Sequence, residues 1–307
     1  MISIIFSTYN GEKTLPLMLD ALLKLTPPKG GWELIAVNNN SSDNTETILQ
    51  QYLSQLPLQI LFEVKKGKNN ALNRAIEHIQ GDIVVFTDDD VIPSPDWLEK
   101  IRTIVDREQS YAIFGGKIEP YWSTPPNQWN NEWIQMGIVY AITAESNIAG
   151  EIGAGFIWGA NMVIRREIFN KGYTFNSAIG PDGTNNYAMG SETSFTLMLE
   201  REGYKCWFEP SCIVKHIIKE SQMSAQWVLS RATRFGRGEA KKLNVIEEKN
   251  KNVFLFGAPR YLYRKIFDQY INLCIEKLFF KKELAFKTQW EINFLKGVLI
   301  GFRDKMR

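Results

Sequence analysis

Over roughly its first hundred residues the chain repeats one pattern: a short, almost unbroken apolar run, a stretch with helical spacing, then another apolar run. The apolar runs at 2–7, 33–37, 58–64 and 82–86 are too short to be helices and carry many β-branched residues, so they read as strands. Strands that are apolar throughout need cover on both faces, which is the situation of a parallel sheet between layers of helices. The alternation therefore predicts an α/β fold with a sheet flanked by helices.

Between these strands, Leu15, Met18, Leu19, Leu22 and Leu23 fall on one helical face. A second helix is expected to start at Asp43, with Glu46 three residues on as an acidic form of the capping box. A third covers about 70–79, and a fourth opens at Ser94 as cap with Pro95 in the first helical position. Residues 116–136, dense in Trp, Pro and Asn, read as a long ordered loop, and from about Ser224 the pattern is helical to the end. The expected organisation is a main domain over 1–225, with halves at 1–115 and 116–225, and a helical extension over 226–307.

Parallel strands deliver the residues that follow them to one edge of the sheet, where open α/β folds bind ligands. Thr8-Tyr9-Asn10, Asn38-Asn39-Asn40, Lys65-Lys66-Gly67 and Asp88-Asp89-Asp90 are thus expected to be neighbours. Three consecutive carboxylates repel one another, which points to a compensating cation; hard oxygen ligands favour Mg²⁺ or Mn²⁺ together with substrate phosphates. The alternative is an acidic turn that caps the next helix.

Composition narrows the function. With 36 Lys and Arg against 34 Asp and Glu, the net charge of +2 is too small for the basic surface that nucleic acid requires. Cys206, Cys212 and Cys274 lack C-x-x-C spacing, so they are expected to be core thiols in a reducing compartment rather than disulfides or a zinc site. The most apolar stretch, 137–164, is interrupted by Glu145 and Glu151, and the first residues read as a strand rather than a signal peptide. A cytoplasmic protein, soluble or peripheral at the inner face of the membrane, is expected.

In order and spacing, Phe6-Ser7-Thr8-Tyr9-Asn10, Asn40-Ser41-Ser42-Asp43-Asn44-Thr45 and Thr87-Asp88-Asp89-Asp90 resemble three successive motifs of family-2 glycosyltransferases. The resemblance covers roughly residues 2–240. It implies the GT-A fold, a Rossmann-like mixed sheet flanked by helices, here with a C-terminal helical extension. The implied reaction is a metal-dependent, inverting transfer of sugar from a UDP- or GDP-linked nucleotide diphosphate sugar. The implied acceptor is a hydroxyl-bearing glycan or lipid-linked molecule, in polysaccharide or glycoconjugate synthesis, with Mn²⁺ or Mg²⁺ as cofactor.

By the same resemblance Thr8 and Tyr9 lie against the base, Asp88 near the ribose and Asp90 on the metal; Asp89 is the bystander of the three, grouped with the donor or acceptor sugar. Asn38 and Asn39 stand where the family usually has at least one Asp; their carbonyls can accept from the base but are weaker acceptors than a carboxylate, and asparagines here also serve as turn formers. Gly159-Ala160-Asn161 resembles a small-residue motif beside the donor sugar, with tight packing at a strand start as the alternative.

Glu192, in Gly190-Ser191-Glu192-Thr193-Ser194-Phe195 and eleven residues before Gly203, matches the second acid of the family's Glu-Asp pair, with Ser191 replacing the first. It is assigned as the base that takes the acceptor proton; the alternative is a helix first-turn acid favoured by the dipole. His216 resembles the strand-end histidine that completes the metal site.

Weaker signals remain. Lys65, Lys66 and Lys68 can meet phosphate or be solvated. Arg231, Arg234 and Arg237 form a helical stripe, with Arg234 taken as the candidate for the nucleotide diphosphate. Trp122, Trp129 and Trp133 either stack on sugars or, more in keeping with their size, fill a core. From Lys241 on, Lys and Arg outnumber Asp and Glu about twofold beside aromatic-rich helices, compatible with an anionic membrane, helix packing or a homodimer. Two rival functions are a catalytically silent nucleotide- or carbohydrate-binding protein and a nucleotidyltransferase.

Overall fold

The computed structural model describes residues 1–306 other than 185 and 244, and side chains other than those of 245–247 and 306. It forms two compact units, one of residues 1–121, 140–177 and 191–217, the other of 122–139, 178–190 and 218–307.

The first unit is built on a nine-stranded sheet. Its strands are β1 (Ile2–Thr8), β2 (Trp32–Asn38), β3 (Leu58–Phe62), β4 (Ile83–Phe86), β5 (Val91–Pro93), β6 (Ile113–Trp122), β7 (Gly150–Glu151), β8 (Met162–Arg165) and β9 (Cys206–Ile218). They run in the order β3-β2-β1-β4-β8-β6-β9-β5, with β7 on β9. The first four pair in parallel, whereas β8 meets β4 and β6, and β9 meets β5 and β7, in antiparallel fashion. The sheet is therefore mixed, as expected.

The unbroken apolar strands are explained by two-sided cover. Ile2, Ile4 and Phe6 of β1 enter one cluster with Leu34 and Ala36 of β2 and Ile83 and Val85 of β4, whereas Ile5, Ile35, Val37, Val84 and Phe86 enter another. The first cluster is closed by α1 (Leu15–Leu22), α2 (Thr45–Tyr52) and α4 (Trp97–Arg107), the second by α3 (Lys68–Ile76) and, further along the chain, by α7 (Arg166–Asn170) and α8 (Ser191–Arg201). Each fully buried Ile or Leu contributes about 1.5–3 kcal/mol of transfer free energy, so neither face tolerates a polar substitution. Cys206 and Cys212 belong to these clusters, and burial pushes both thiols up to about 12.

Four local expectations are corrected. Leu23 lies past the end of α1 and is 40% exposed, because the helix stops at Leu22. No capping box forms at α2: Glu46 accepts from the Asn38 amide, and Asp43 accepts from the Thr45 N–H and hydroxyl. Ser94 does not cap α4 either, since its hydroxyl donates to the Ile213 carbonyl and the helix begins at Trp97. Residues 116–136 are not one loop: β6 continues to Trp122, and the short helix α5 (Gln128–Glu132) precedes α6 (Met136–Tyr140).

In the second unit, α9 (Ala225–Lys242) starts at Ser224, whose hydroxyl accepts from the Trp227 N–H. It is followed by α10 (Val245–Lys251), a small hairpin of β10 (Phe254–Leu255) and β11 (Ala258–Pro259), α11 (Arg260–Leu278) and α12 (Lys282–Met306). Helices α9 and α12 touch through glycines. A Cβ on Gly236 would lie 2.0 Å from the Phe294 carbonyl oxygen, and one on Gly297 2.0 Å from that of Thr233. Trp129 and Trp133, both half-buried, pack on Phe286 of the same unit, with ring centroids 5.2 and 6.1 Å away. On α11 only Leu262 and Leu273 are buried, and Cys274 is exposed rather than a core thiol. Among the described residues no helix is long and apolar enough to cross a membrane.

Candidate active site

The four loops after β1 to β4 meet at one edge of the sheet. The Asn39 N–H donates to the Thr8 carbonyl at 2.9 Å, and the Asn39 side chain donates to the carbonyls of Glu63 and Lys65 while accepting from the Gly67 N–H. The Thr8 hydroxyl donates to Asp89 at 2.6 Å. Gly11 makes room for that bond, since a Cβ there would lie 2.3 Å from the Thr8 hydroxyl oxygen and 2.7 Å from Asp89. Asn10 and Asn40 adopt left-handed conformations, φ 55° and 62°, which turn the chain sharply out of β1 and β2. Asn38 donates to Glu46 and accepts from the Ser41 N–H, so both sequence asparagines brace the loops.

At the centre lies a partly buried ion triad. The Lys68 ammonium, at the first position of α3, pairs with both Asp88 and Glu192; the three side chains are 16%, 27% and 16% exposed. Burial works against the Lys68 charge, but the two carboxylates outweigh it and raise its proton affinity. Burial also raises the Asp88 carboxyl; Lys68 opposes this, while the charges of Glu192 and Asp90 add to it. For Glu192 burial is outweighed by Lys68 and by the Ser191 hydroxyl, which donates to it at 2.5 Å, so its carboxyl is held below the usual range. Glu192 is thus ionised at neutral pH, the state a general base needs. Gly159 lies flat against it: a Cβ there would sit 2.4 Å from Glu192 Cγ.

Asp90 precedes β5 and His216 stands opposite Val91 on β9, which brings Asp90 Oδ1 within 3.3 Å of His216 Nε2. Nδ1 of the ring is 2.6 Å from the Tyr140 carbonyl, so it carries a proton and donates. In the neutral ring Nε2 then presents a lone pair to a carboxylate, an arrangement that a cation relieves. Two cis ligands about 2.1 Å from an octahedral ion lie about 3 Å apart, so the pair fits Mg²⁺ or Mn²⁺, and a backbone partner on the far nitrogen is usual for a metal-binding imidazole. Burial works against charging the ring, but Asp90 and the Tyr140 carbonyl outweigh it and raise its proton affinity. No group of three or more His, Cys, Asp or Glu converges on a metal position among the described residues.

The remaining expected residues sit as follows. Thr8 is buried, and Tyr9 is 39% exposed with the Lys66 ammonium 5.4 Å above its ring. The Ala160 carbonyl accepts from Thr87. Asn161 is buried, donates to the carbonyls of Lys117 and Cys212, and accepts from the Trp97 indole, so its amide ties β6, β9 and α4 together. Arg234 lies on α9 in the helical unit. Sequence reasoning offered Lys68 only as one of three loop lysines that meet phosphate or solvent, named Ser191 only as the replacement of an acid, and did not reach Tyr140. The signal for Lys68 was its place directly after Gly67, at the mouth of a helix facing the acidic run; Tyr140 contributes only a carbonyl, which no side-chain pattern reveals.

A mixed sheet with this order, an acidic edge and a second carboxylate delivered by a later helix is the architecture of the GT-A fold. The chain belongs to glycosyl transferase family 2, whose description matches residues 3–173, and it is a glycosyltransferase. It is 23% identical to the succinoglycan biosynthesis protein ExoM of Rhizobium meliloti over 220 residues, 71% of this chain and 67% of that protein. The poly(ribitol-phosphate) beta-N-acetylglucosaminyltransferase TarS of Staphylococcus aureus is 30% identical over 113 residues, which are 36% of this chain and only 20% of that one. The crystal structure of TarS 1–349 with UDP-GlcNAc superposes with a TM-score of 0.57 at 15% identity, covering 96% of this chain and 90% of that one. The mannosyltransferase PcManGT of Pyrobaculum calidifontis, in complex with GDP-Man and Mn²⁺, superposes at 0.63 and 17% identity over 99% of this chain and 87% of that one.

Proposed function

We propose that the protein transfers a sugar, with inversion, from a UDP- or GDP-linked nucleotide diphosphate sugar to a hydroxyl of a glycan or lipid-linked acceptor. Such a step belongs to the synthesis of a polysaccharide or glycoconjugate. The observation that carries this reading is Glu192, ionised, partly buried and bridged by Lys68 to the acidic strand end at Asp88. The sugar nucleotides and Mn²⁺ held by TarS 1–349 and PcManGT, and the polysaccharide named for ExoM, support it.

In this reading Thr8, Tyr9, Asn38 and Asn39 border the base, and Asp88 faces the ribose. Asp90 and His216 would hold Mn²⁺ or Mg²⁺, which would supply positive charge to offset that of the departing diphosphate. Glu192 accepts the proton of the acceptor hydroxyl while that oxygen bonds to the anomeric carbon; the bond from that carbon to the diphosphate oxygen breaks, and the nucleoside diphosphate leaves with the electron pair. A single displacement from the opposite face inverts the centre. Lys68 positions the base: it keeps Glu192 charged and ties it to the residue that meets the donor. Gly159 keeps side chains out of the space against Glu192, and Ala160 and Asp89 border the sugar.

The test is turnover of a panel of sugar nucleotides with Mn²⁺ and hydroxyl acceptors, read as acceptor-dependent release of nucleoside diphosphate. Glu192→Gln is expected to abolish that release and to retain donor binding. Unchanged turnover in this variant removes Glu192 as the base, and release of pyrophosphate assigns a different reaction.

A further inference from the structure

The ion triad is assembled from three elements, and one residue outside it touches all of them. Asp88 follows the end of β4, Glu192 stands in the first turn of α8, and Lys68 is the first residue of α3. Phe175, buried, lies between α7 and α8 in the chain. Its ring meets the edge of Phe86, the last residue of β4, with centroids 5.3 Å apart. On another side it stacks on Phe195, one turn along α8 from Glu192, at 4.3 Å. Its backbone is held by α3: the Asn73 side chain donates to the Phe175 carbonyl at 2.8 Å and accepts from the Phe175 N–H at 2.9 Å. One turn earlier, and next to Lys68, the buried Asn69 side chain donates to the Asn176 carbonyl at 2.8 Å.

Asparagine is a poor helix former because its amide competes for backbone groups, yet α3 carries it at 69, 70 and 73. At 69 and 73 the amides reach out of the helix and take up backbone groups of 175–176, a stretch without regular structure whose buried polar groups need partners. Filling the core requires only the Phe175 ring. The two amides add a constraint of another kind, since attachment at two points one turn apart resists both rotation and sliding of α3. The ring carries that constraint to β4 and α8, because a close-packed interior transmits displacement instead of absorbing it. The three charged groups thus share one reference point. Such precision matters for chemistry: a misplacement of about 1 Å at a reacting group costs about 10²-fold in rate.

We propose that Asn69, Asn73 and Phe175 are positioning residues that set the Lys68 ammonium against Asp88 and Glu192. Their effect on sugar transfer rests on the reading of Glu192 as base; the placement of the ammonium does not, and the two are measured separately.

The full chain, labelled with nitrogen-15 at the lysine ammonium groups, is followed by proton–nitrogen correlation spectroscopy near neutral pH. Ammonium protons sheltered in ion pairs exchange slowly enough with water to be seen, and the Lys68 signal is identified by its loss in Lys68→Met. That signal is expected to disappear in Asn73→Ala and in Phe175→Leu, and to persist in Ile113→Val, a change in the same core on β6. Near-ultraviolet dichroism checks that each variant is folded. Should Phe175→Leu unfold, Asn73→Ala decides alone, since its position is half-buried and alanine favours the helix. In the transfer assay kcat is expected to fall about tenfold or more in both variants, with KM for the sugar nucleotide within about threefold of the native value. No Lys68 signal in the native chain, or an unchanged one in the folded variants, overturns the proposal whatever the turnover. Loss of the signal with kcat unchanged upholds the positioning of Lys68 and instead removes Glu192 as the base.

Discussion

The two units reach close packing by opposite means. In the sheet unit, large side chains such as Ile4, Phe6, Val85 and Trp97 fill the space between layers and keep backbones apart. In the helical unit α9 and α12 approach until Gly236 and Gly297 touch the opposing backbone, where no side chain fits. The difference separates two kinds of tolerance: a layer of large side chains can repack around a lost methyl group, whereas a glycine contact has no slack in the direction of added volume. It also separates roles, because the sheet unit delivers charged groups to one edge from strand ends and leaves its core free of them.

If that division holds, the largest effect on function comes from a substitution at the edge that leaves the core alone. Glu192→Gln is expected to lower kcat by about 10²–10⁴-fold with little change in KM or melting temperature, as removal of a general base does. A comparable loss of thermal stability would show that the edge is part of the core and break the comparison.

Next in size is Lys68, which belongs to both categories. Lys68→Met strands Asp88 and Glu192 without a counter-charge; unpairing a fully buried ion costs about 3 kcal/mol, and the partial exposure of these groups makes the loss smaller. The Glu192 carboxyl is held low by Lys68, so its removal raises that proton affinity. The acid limb of the pH–rate profile is therefore expected to move to higher pH, with Lys68→Arg restoring most of the original profile. Loss of stability without movement of the limb would make Lys68 a structural ion only.

How much of this was legible follows from the range of each interaction. The strands could be read because two-sided burial leaves its mark residue by residue in Ile2, Ile4, Ile5 and Phe6. Helix starts could not, because Glu46 and Ser94 spend their oxygens on Asn38 and Ile213 instead of on the local backbone. The acidic run, Glu192 and His216 carried recognisable motifs. Lys68 could be read only as a loop lysine that meets phosphate or solvent, since its pairing depends on a partner more than a hundred positions away that only the folded chain supplies. The glycines of the helical unit were misleading in isolation: by propensity alone Gly236 and Gly297 weaken their helices, and only the close approach explains them.

That point gives the third prediction. Gly297→Ala adds a methyl group where the Thr233 oxygen already stands, and overpacking of this kind costs about 1–3 kcal/mol. A fall in melting temperature is expected although alanine is the better helix former; a rise would mean that propensity outweighs contact and that the helices can slide apart.

The smallest effect lies at the opposite edge of the sheet, where Asp82, just before β4, accepts from the amino group of Met1 at 2.7 Å and from Arg102 at 2.9 Å. Burial raises this carboxyl, but these two donors outweigh it and lower it from 3.8 to about 2. A carboxyl whose folded value lies below its unfolded one adds stability above the unfolded value, and loses it as pH falls through the folded one. The contribution is therefore present above about pH 4 and gone near pH 2. The Asp82 side chain is 59% exposed, so solvent screening limits the effect to about 1 kcal/mol or less. Asp82→Asn should flatten the stability curve of the folded chain between pH 4 and pH 2 by that small amount, as read by denaturant unfolding, and leave sugar transfer at neutral pH unchanged. A change in turnover would couple the two edges through β4, and the separation between a functional edge and a stabilising one would have to be given up.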